Sequence, residues 1–242
     1  MILDQAGNEL RVFASILARG GSKGVKKKNI RNLAGKPLVA YSIDIALENS
    51  YIDSVFVSTD SHEIAEISAQ YGADIPFIRP KNISGDDASV WSAWNHAMKY
   101  FSSSEQLPDI LIDLPPTSPL RNIEDVNNCI EELVKHDCDV VISVTDSKKN
   151  PMFNMIEANS NGDAKLLIET EVPIVRRQDT SKIFDITTVA YAIKKDFLLD
   201  PENSSIWDGR VKYIVIPEDR ALDIDTEFDF YLASLIVQNL ES

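Results

Sequence analysis

Between residues 11 and 144, short β-prone apolar runs alternate with stretches of helical periodicity, and no other feature constrains the fold as tightly. Residues 11–17, 54–59, 75–78, 109–113 and 139–144 read as strands. Helices are predicted between them. Residues 37–49 carry Leu38, Tyr41, Ile45 and Leu47 at helical spacing. The next helix opens at Asp60 or Ser61, has Glu63 in its first turn and stops at Tyr71-Gly72. A third covers 88–100, where Trp91, Trp94 and Met98 point to core packing, and a fourth runs from Asn122 or Glu124 to 136. Such alternation implies right-handed crossovers and an α/β fold with a mainly parallel, twisted sheet flanked by helices.

After residue 144 the rhythm breaks. Residues 152–157 and 164–168 flank Asn161-Gly162, a hairpin signal, and 169–185 are polar. Strand character resumes at 188–193 and 211–216. A closing helix over 226–239 is expected to bury Phe228, Tyr231, Leu232, Leu235 and Ile236. The chain therefore reads as one domain, 1–242, with residues 145–187 as an inserted arm. An arm too thin to bury its own apolar residues suits a contact with a partner subunit, so a homodimer is expected.

Composition narrows the class. The chain has 242 residues, 44% hydrophobic and 26% charged, with a formal net charge of −14. That charge argues against nucleic-acid and anionic-membrane binding. No apolar run approaches the ~20 residues of a membrane span, and no signal pattern opens the chain, so a cytoplasmic location is expected. Cys129 and Cys138 read as buried apolar residues, with neither a disulfide framework nor a zinc site.

Against this acidic background, residues 17–38 stand out: Leu-Ala-Arg-Gly-Gly-Ser-Lys-Gly-Val-Lys-Lys-Lys-Asn-Ile-Arg-Asn-Leu-Ala-Gly-Lys-Pro-Leu. Gly20, Gly21 and Gly24 let the backbone turn and aim N–H groups at an anion, while Arg19, Lys23 and Lys28 add cations. Neither the P-loop nor the Gly-x-Gly-x-x-Gly fingerprint is present. The loop nevertheless follows the first strand, the place where α/β sheets bind polyphosphate. Lys26 and Lys27 read as solvated.

Four further stretches follow in order: Arg79-Pro80 with Ser84-Gly85-Asp86-Asp87-Ala88-Ser89, Pro116-Thr117-Ser118-Pro119-Leu120-Arg121, Arg176-Arg177-Gln178-Asp179, and Leu222-Asp223-Ile224-Asp225-Thr226. Together with the first loop, over residues 12–238, they resemble the CMP-sialic acid synthetases, the acylneuraminate cytidylyltransferases. The resemblance implies a nucleotide-diphospho-sugar transferase fold of the glycosyltransferase-A type, a homodimer, and Mg²⁺-dependent transfer of CMP from CTP to a 2-keto sugar acid. It also implies roles for residues. Arg19 and Lys23 would hold the triphosphate. Leu17, Ala18, Ser22, Asn29, Arg79, Asp86, Ala88 and Ser89 would surround the nucleotide. Thr117, Ser118, Arg121, Arg177, Gln178 and Asp185 would serve the sugar, with Arg177 on its carboxylate. Asp223 and Asp225, two apart, share one face if extended and suit Mg²⁺ with phosphate oxygens. A CMP-Kdo-type synthetase, another sugar nucleotidyltransferase and a nucleotide-binding protein without turnover stay open as alternatives.

The chain departs from that family at Pro115, where a glutamine is usual, at Asn154, where a base is usual, and at Asp185, where an arginine is usual. An aspartate cannot hold a carboxylate. It suits a hydroxyl, an amide N–H or an amine, so a modified sialic acid of the legionaminic or pseudaminic type is the expected acceptor.

Overall fold

The computed structural model describes residues 1–104, 106–171, 174, 176 and 179–240. A short N-terminal hairpin, β1 (Ile2–Leu3) and β2 (Glu9–Leu10), precedes β3 (Val12–Leu17), whose residues are almost all buried. The small ribbon β4 (Asn32–Leu33) and β5 (Lys36–Pro37) leads into α1 (Leu38–Glu48). Then come β6 (Ser54–Ser58), α2 (His62–Gln70), α3 (Val90–Ser103), β7 (Ile110–Asp113), α4 (Ile123–His136) and β8 (Val140–Asp146). The arm carries the hairpin β9 (Ile156–Ala158) and β10 (Ala164–Leu166). The chain closes with β11 (Phe184–Lys194), α5 (Lys195–Leu199), β12 (Val211–Val215) and α6 (Glu227–Leu240).

Six strands form the central sheet in the order β12-β8-β11-β7-β3-β6. β3 pairs parallel with β6 and β7, and β12 with β8, while β11 runs antiparallel to both neighbours. The sheet is thus mixed, with one strand reversed because the arm returns beside the strand it left. One face packs on α1 and α4 through Val39, Ile43, Val126, Ile130 and Leu133. The other packs on α3 and α5 through Trp94, Met98, Phe101 and Phe197.

Local signals account for most boundaries. The Ser61 hydroxyl accepts from Ile64 N–H and caps α2, Ser89 does the same for α3, and Asn122 with Asp125 forms a capping box on α4. Gly72, at φ 92, ends the turn after α2. Cys129 and Cys138 are buried and free, and burial pushes the Cys129 thiol up to about 12.

Two expectations need correction. Residues 75–78 form no strand. Only isolated bridges, Phe56 with Asp74 and Thr59 with Ile78, run along β6, because Pro76 lies between them and has no N–H for a ladder. The closing helix buries Phe230, Ala233 and Val237, whereas Phe228, Tyr231 and Leu235 are exposed. A period of 3.6 fits more than one stripe on a helix this apolar, and packing on Leu33, Leu38 and Tyr41 selected the other.

One irregularity shapes the site. β11 pairs Ile186 with Val144 and then Tyr191 with Ile142, so residues 187–190 bulge against the single residue Ser143. Ser143 satisfies the bulge: its hydroxyl donates to Thr187 O (3.2 Å) and accepts from Ala190 N–H (3.0 Å). The bulge carries Thr188 to the loop that follows β7.

Candidate active site

A cleft of about 510 Å³ opens at the carboxyl ends of β3, β6 and β7, where open α/β sheets bind ligands. Leu17, Arg19, Ser22, Lys23, Asn29, Arg79, Asp86, Ala88, Ser89, Thr117 and Asp225 all line it. The glycine loop and the aspartate segment therefore face one space. Gly24 explains how closely they approach: a Cβ there would run into the backbone carbonyl of Asp225. Lys28, with its side chain largely buried, donates to Ile224 O (2.6 Å) and lies 3.4 Å from Asp225 Oδ1. Ile224 N–H in turn donates to Thr117 O (2.9 Å), pinning the segment to the loop after β7.

Two cations of the first loop already share one anion. Asp86 sits 2.8 Å from Arg19 Nη1 and 2.6 Å from Lys23 Nζ. The Lys23 hydrogen bond, with the charges of Lys23 and Arg19, holds the Asp86 carboxyl below its usual range. Lys27 pairs instead with Glu63 at the surface, and Lys26 is exposed. Asn29 is buried and donates from Nδ2 to Arg19 O (2.9 Å), bracing the loop from beneath. Arg79 is also buried. Its Nε donates to the Ser84 hydroxyl (3.2 Å), and burial pulls its guanidinium below the usual value, opposed by Asp60 and Asp113.

A second cavity, about 870 Å³, lies at the same end of the sheet, beside the end of β8 and the start of β11. Asp185, Asp223, Asp146, Lys149, Leu232 and Ile236 are among the residues that line it. Asp225 lines the cleft and Asp223 the second cavity. Burial raises the Asp223 carboxyl, the neighbouring Asp225 charge adds to this, and the hydroxyls of Thr117 and Thr188 oppose it. Among the described residues, Asp223 Oδ1 is buried without a hydrogen-bond partner. The cap of α6 does not consume these acids: Thr226 and Asp229 bond each other's backbone N–H groups there.

These carboxylates fit a divalent cation. Buried Asp223 Oδ1 lacks a donor, Asp225 is largely exposed, and no group of three or more His, Cys, Asp or Glu is gathered for a metal among the described residues. One or two carboxylates completed by phosphate oxygens is the donor set Mg²⁺ accepts.

Three expected site residues line neither the cleft nor the second cavity. Ala18 is fully buried and spends its N–H on Ser58 O (3.1 Å). Ser118 is buried and bonded to the Thr188 hydroxyl at 2.7 Å. Arg121 is 4% exposed and lines neither space. Its Nη1 donates to Ser42 Oγ (2.6 Å), and its Nη2 to the carbonyls of Pro115 and Thr188. Burial draws its guanidinium down to about 9, against the pull of Asp113, Asp125 and Asp223. Arg177 and Gln178 lie outside the described residues.

Sequence reasoning missed Asp113, at the end of β7. It is 1% exposed, accepts from the Ser15 hydroxyl, and has its carboxyl pushed up to about 6 by burial, opposed by that hydrogen bond and by Arg121 and Arg79. A carboxylate ending the buried run Ile110–Asp113 was a visible signal of a buried ion network. Thr188 was also missed, and nothing in its neighbours announces the bulge that places it.

A mixed α/β sheet with a cationic glycine loop facing acid side chains across its carboxyl end suits a nucleotidyltransferase. The chain belongs to the cytidylyltransferase family, whose model matches residues 14–207. It is 32% identical over 231 residues to the post-translational flagellin modification protein B of Campylobacter coli, covering 94% of this chain and 95% of that one. It is 33% identical over 229 residues to the CMP-N,N'-diacetyllegionaminic acid synthase of Campylobacter jejuni, covering 93% and 94%. A solved structure of CMP:2-keto-3-deoxy-manno-octonic acid synthetase complexed with CTP shares the fold, with a TM-score of 0.71, 17% identity, and coverage of 95% and 99%. The enzyme is a nucleotidyltransferase of the acylneuraminate cytidylyltransferase type. No described helix is long and apolar enough to cross a membrane.

Proposed function

We propose that this enzyme transfers CMP from CTP to the anomeric hydroxyl of a nonulosonic acid, releasing pyrophosphate. The observation that carries the reading is the meeting of the Arg19/Lys23 loop and the Asp223/Asp225 segment, tied together by Lys28. Arg19 and Lys23 receive the β- and γ-phosphates, so the leaving pyrophosphate stays neutralised as its charge grows. Ser22, Asn29, Arg79, Ala88 and Ser89 surround the nucleoside end. The acceptor enters the second cavity, with its hydroxyl directed past Thr117 toward the α-phosphorus. Asp223 and Asp225 are the residues that would hold Mg²⁺, which when bound neutralises phosphate charge and acidifies a nearby hydroxyl. Arg121 holds the loop carrying Thr117. We assign the enzyme to the cytoplasm, where CTP is supplied.

Asp185 on the second cavity, with Pro115 on the cleft where a side-chain amide is usual, supports an acceptor carrying N–H groups where ordinary sialic acid has hydroxyls. The names of the Campylobacter relatives point the same way. We also assign a homodimer. Ile186, Tyr213 and Val215 expose one apolar strip at the sheet end beside the arm, and the arm exposes Ile156, Leu166, Leu167 and Ile168.

The test is pyrophosphate release with each of CTP, UTP, GTP and ATP, with Mg²⁺ and a panel of nonulosonic acids. CTP is expected to be used selectively, with a diaminated acid giving the highest kcat/KM. Release that does not depend on any acid would overturn the activity. A kcat/KM highest for N-acetylneuraminate would overturn the acceptor assignment.

A further inference from the structure

The second cavity poses an electrostatic problem for an anionic acceptor. Five carboxylates line it: Asp146, Asp185, Glu218, Asp219 and Asp223. Only two cations do so among the described residues, Lys148 and Lys149. Lys148 is engaged, because its Nζ forms an ion pair with Glu218. Lys149 has no ion pair among the described residues, and its side chain is exposed at the root of the arm. Its backbone is fixed: Lys149 N–H donates to the Ser147 hydroxyl (3.3 Å). The following residue, Asn150, is buried and bonded to Thr180 and Ser181 across the arm. The backbone at the root of the arm is therefore hydrogen-bonded in place, while the exposed Lys149 side chain lines both this cavity and a neighbouring one shared with Asn150 and Lys182.

We infer that Lys149 receives the carboxylate of the acceptor sugar acid. The inference rests on the proposed acceptor reading and adds to it a residue that motif matching did not mark. A mobile ammonium on a fixed backbone is a point charge suited to a single carboxylate, without the fork geometry an arginine demands. The carboxylates around it make the assignment sharper. An acid entering this cavity meets repulsion on most sides, and at a screening length of about 8 Å only a cation inside the cavity offsets it. With its carboxylate at Lys149, the acceptor has Asp185, Leu232 and Ile236 among the remaining lining residues for its N-acyl and tail groups.

The experiment compares KM for the acceptor acid and KM for CTP in wild type, Lys149→Gln, Lys149→Arg and Arg177→Gln. It is repeated with the acceptor's methyl ester in place of the acid. Lys149→Gln is expected to raise the acid KM by about ten- to a hundredfold, the range of one charge-assisted hydrogen bond. KM for CTP should stay within about threefold, and Lys149→Arg should recover most of the loss. With the ester, wild type and Lys149→Gln should be equal, because the partner charge is gone. If wild type turns over no acid, the acceptor reading fails and takes this inference with it. If wild type works and Lys149→Gln leaves the acid KM within twofold, or if only Arg177→Gln raises it, the reading stands and Lys149 is overturned. An equal rise in both KM values would also overturn it.

Discussion

Asp86 shows how a single residue sets the resting state of the site. Its carboxylate lies on Arg19 and Lys23, the two cations assigned to the triphosphate. A polyanion entering the cleft has to displace it, since a carboxylate and a phosphate on the same cations repel each other. All three side chains are substantially exposed, so the competition is modest. Asp86→Asn is expected to tighten binding of inorganic triphosphate by about two- to fivefold, the range of exposed ion pairs, as measured by titration calorimetry. Weaker binding in the variant would make Asp86 a support for these cations, not a competitor.

At the scale of elements, the loop after β7 and the bulge of β11 hold each other. Arg121 joins them by donating to Pro115 O and Thr188 O, while Thr117 and Ser118 meet the Thr188 hydroxyl. Removing this guanidinium leaves buried acceptors unpaired and takes the main counter-charge from Asp113. Arg121→Met is expected to cost about 3–5 kcal/mol, the usual penalty for orphaning a buried charge. For a chain of this size that lowers Tm by roughly 6–20 °C. The pH dependence has a definite sign. The Asp113 carboxyl is raised to about 6 in the folded protein, so its cost accumulates as pH rises from the ordinary value of 3.8 through about 6. Without Arg121 that value climbs further, and the variant should lose stability relative to wild type as pH increases from 5 to 8. Thermal denaturation at the two pH values measures it, and a gap that narrows with pH would count against the network.

For the whole molecule, the open question of assembly has a physical form. One subunit exposes Ile186, Tyr213 and Val215 on the sheet and a fully exposed hairpin on the arm, more apolar surface than isolated residues would contribute. Sedimentation velocity is expected to show a dimer, and Tyr213→Glu with Val215→Glu to shift it to a monomer. A wild-type monomer at micromolar concentration would refute the assignment.

Much of this architecture was legible in the chain. Strand and helix alternation, caps such as Ser61 and Asn122, and the glycine-rich cationic loop are local patterns, written in neighbours a few residues apart. They were enough for the alternation of strands and helices, and the motifs among them carried the resemblance to the family. Tertiary structure alone decided that β11 runs against its neighbours, that its bulge delivers Thr188 to Thr117, and that Asp223 and Asp225 open onto different spaces. It also turned Arg121 inward and left Lys149 without an ion pair among the described residues. The reason is one of range: a motif reports the chemistry a side chain can perform, but burial and charge pairing depend on groups tens of residues away, brought close only when the sheet is assembled.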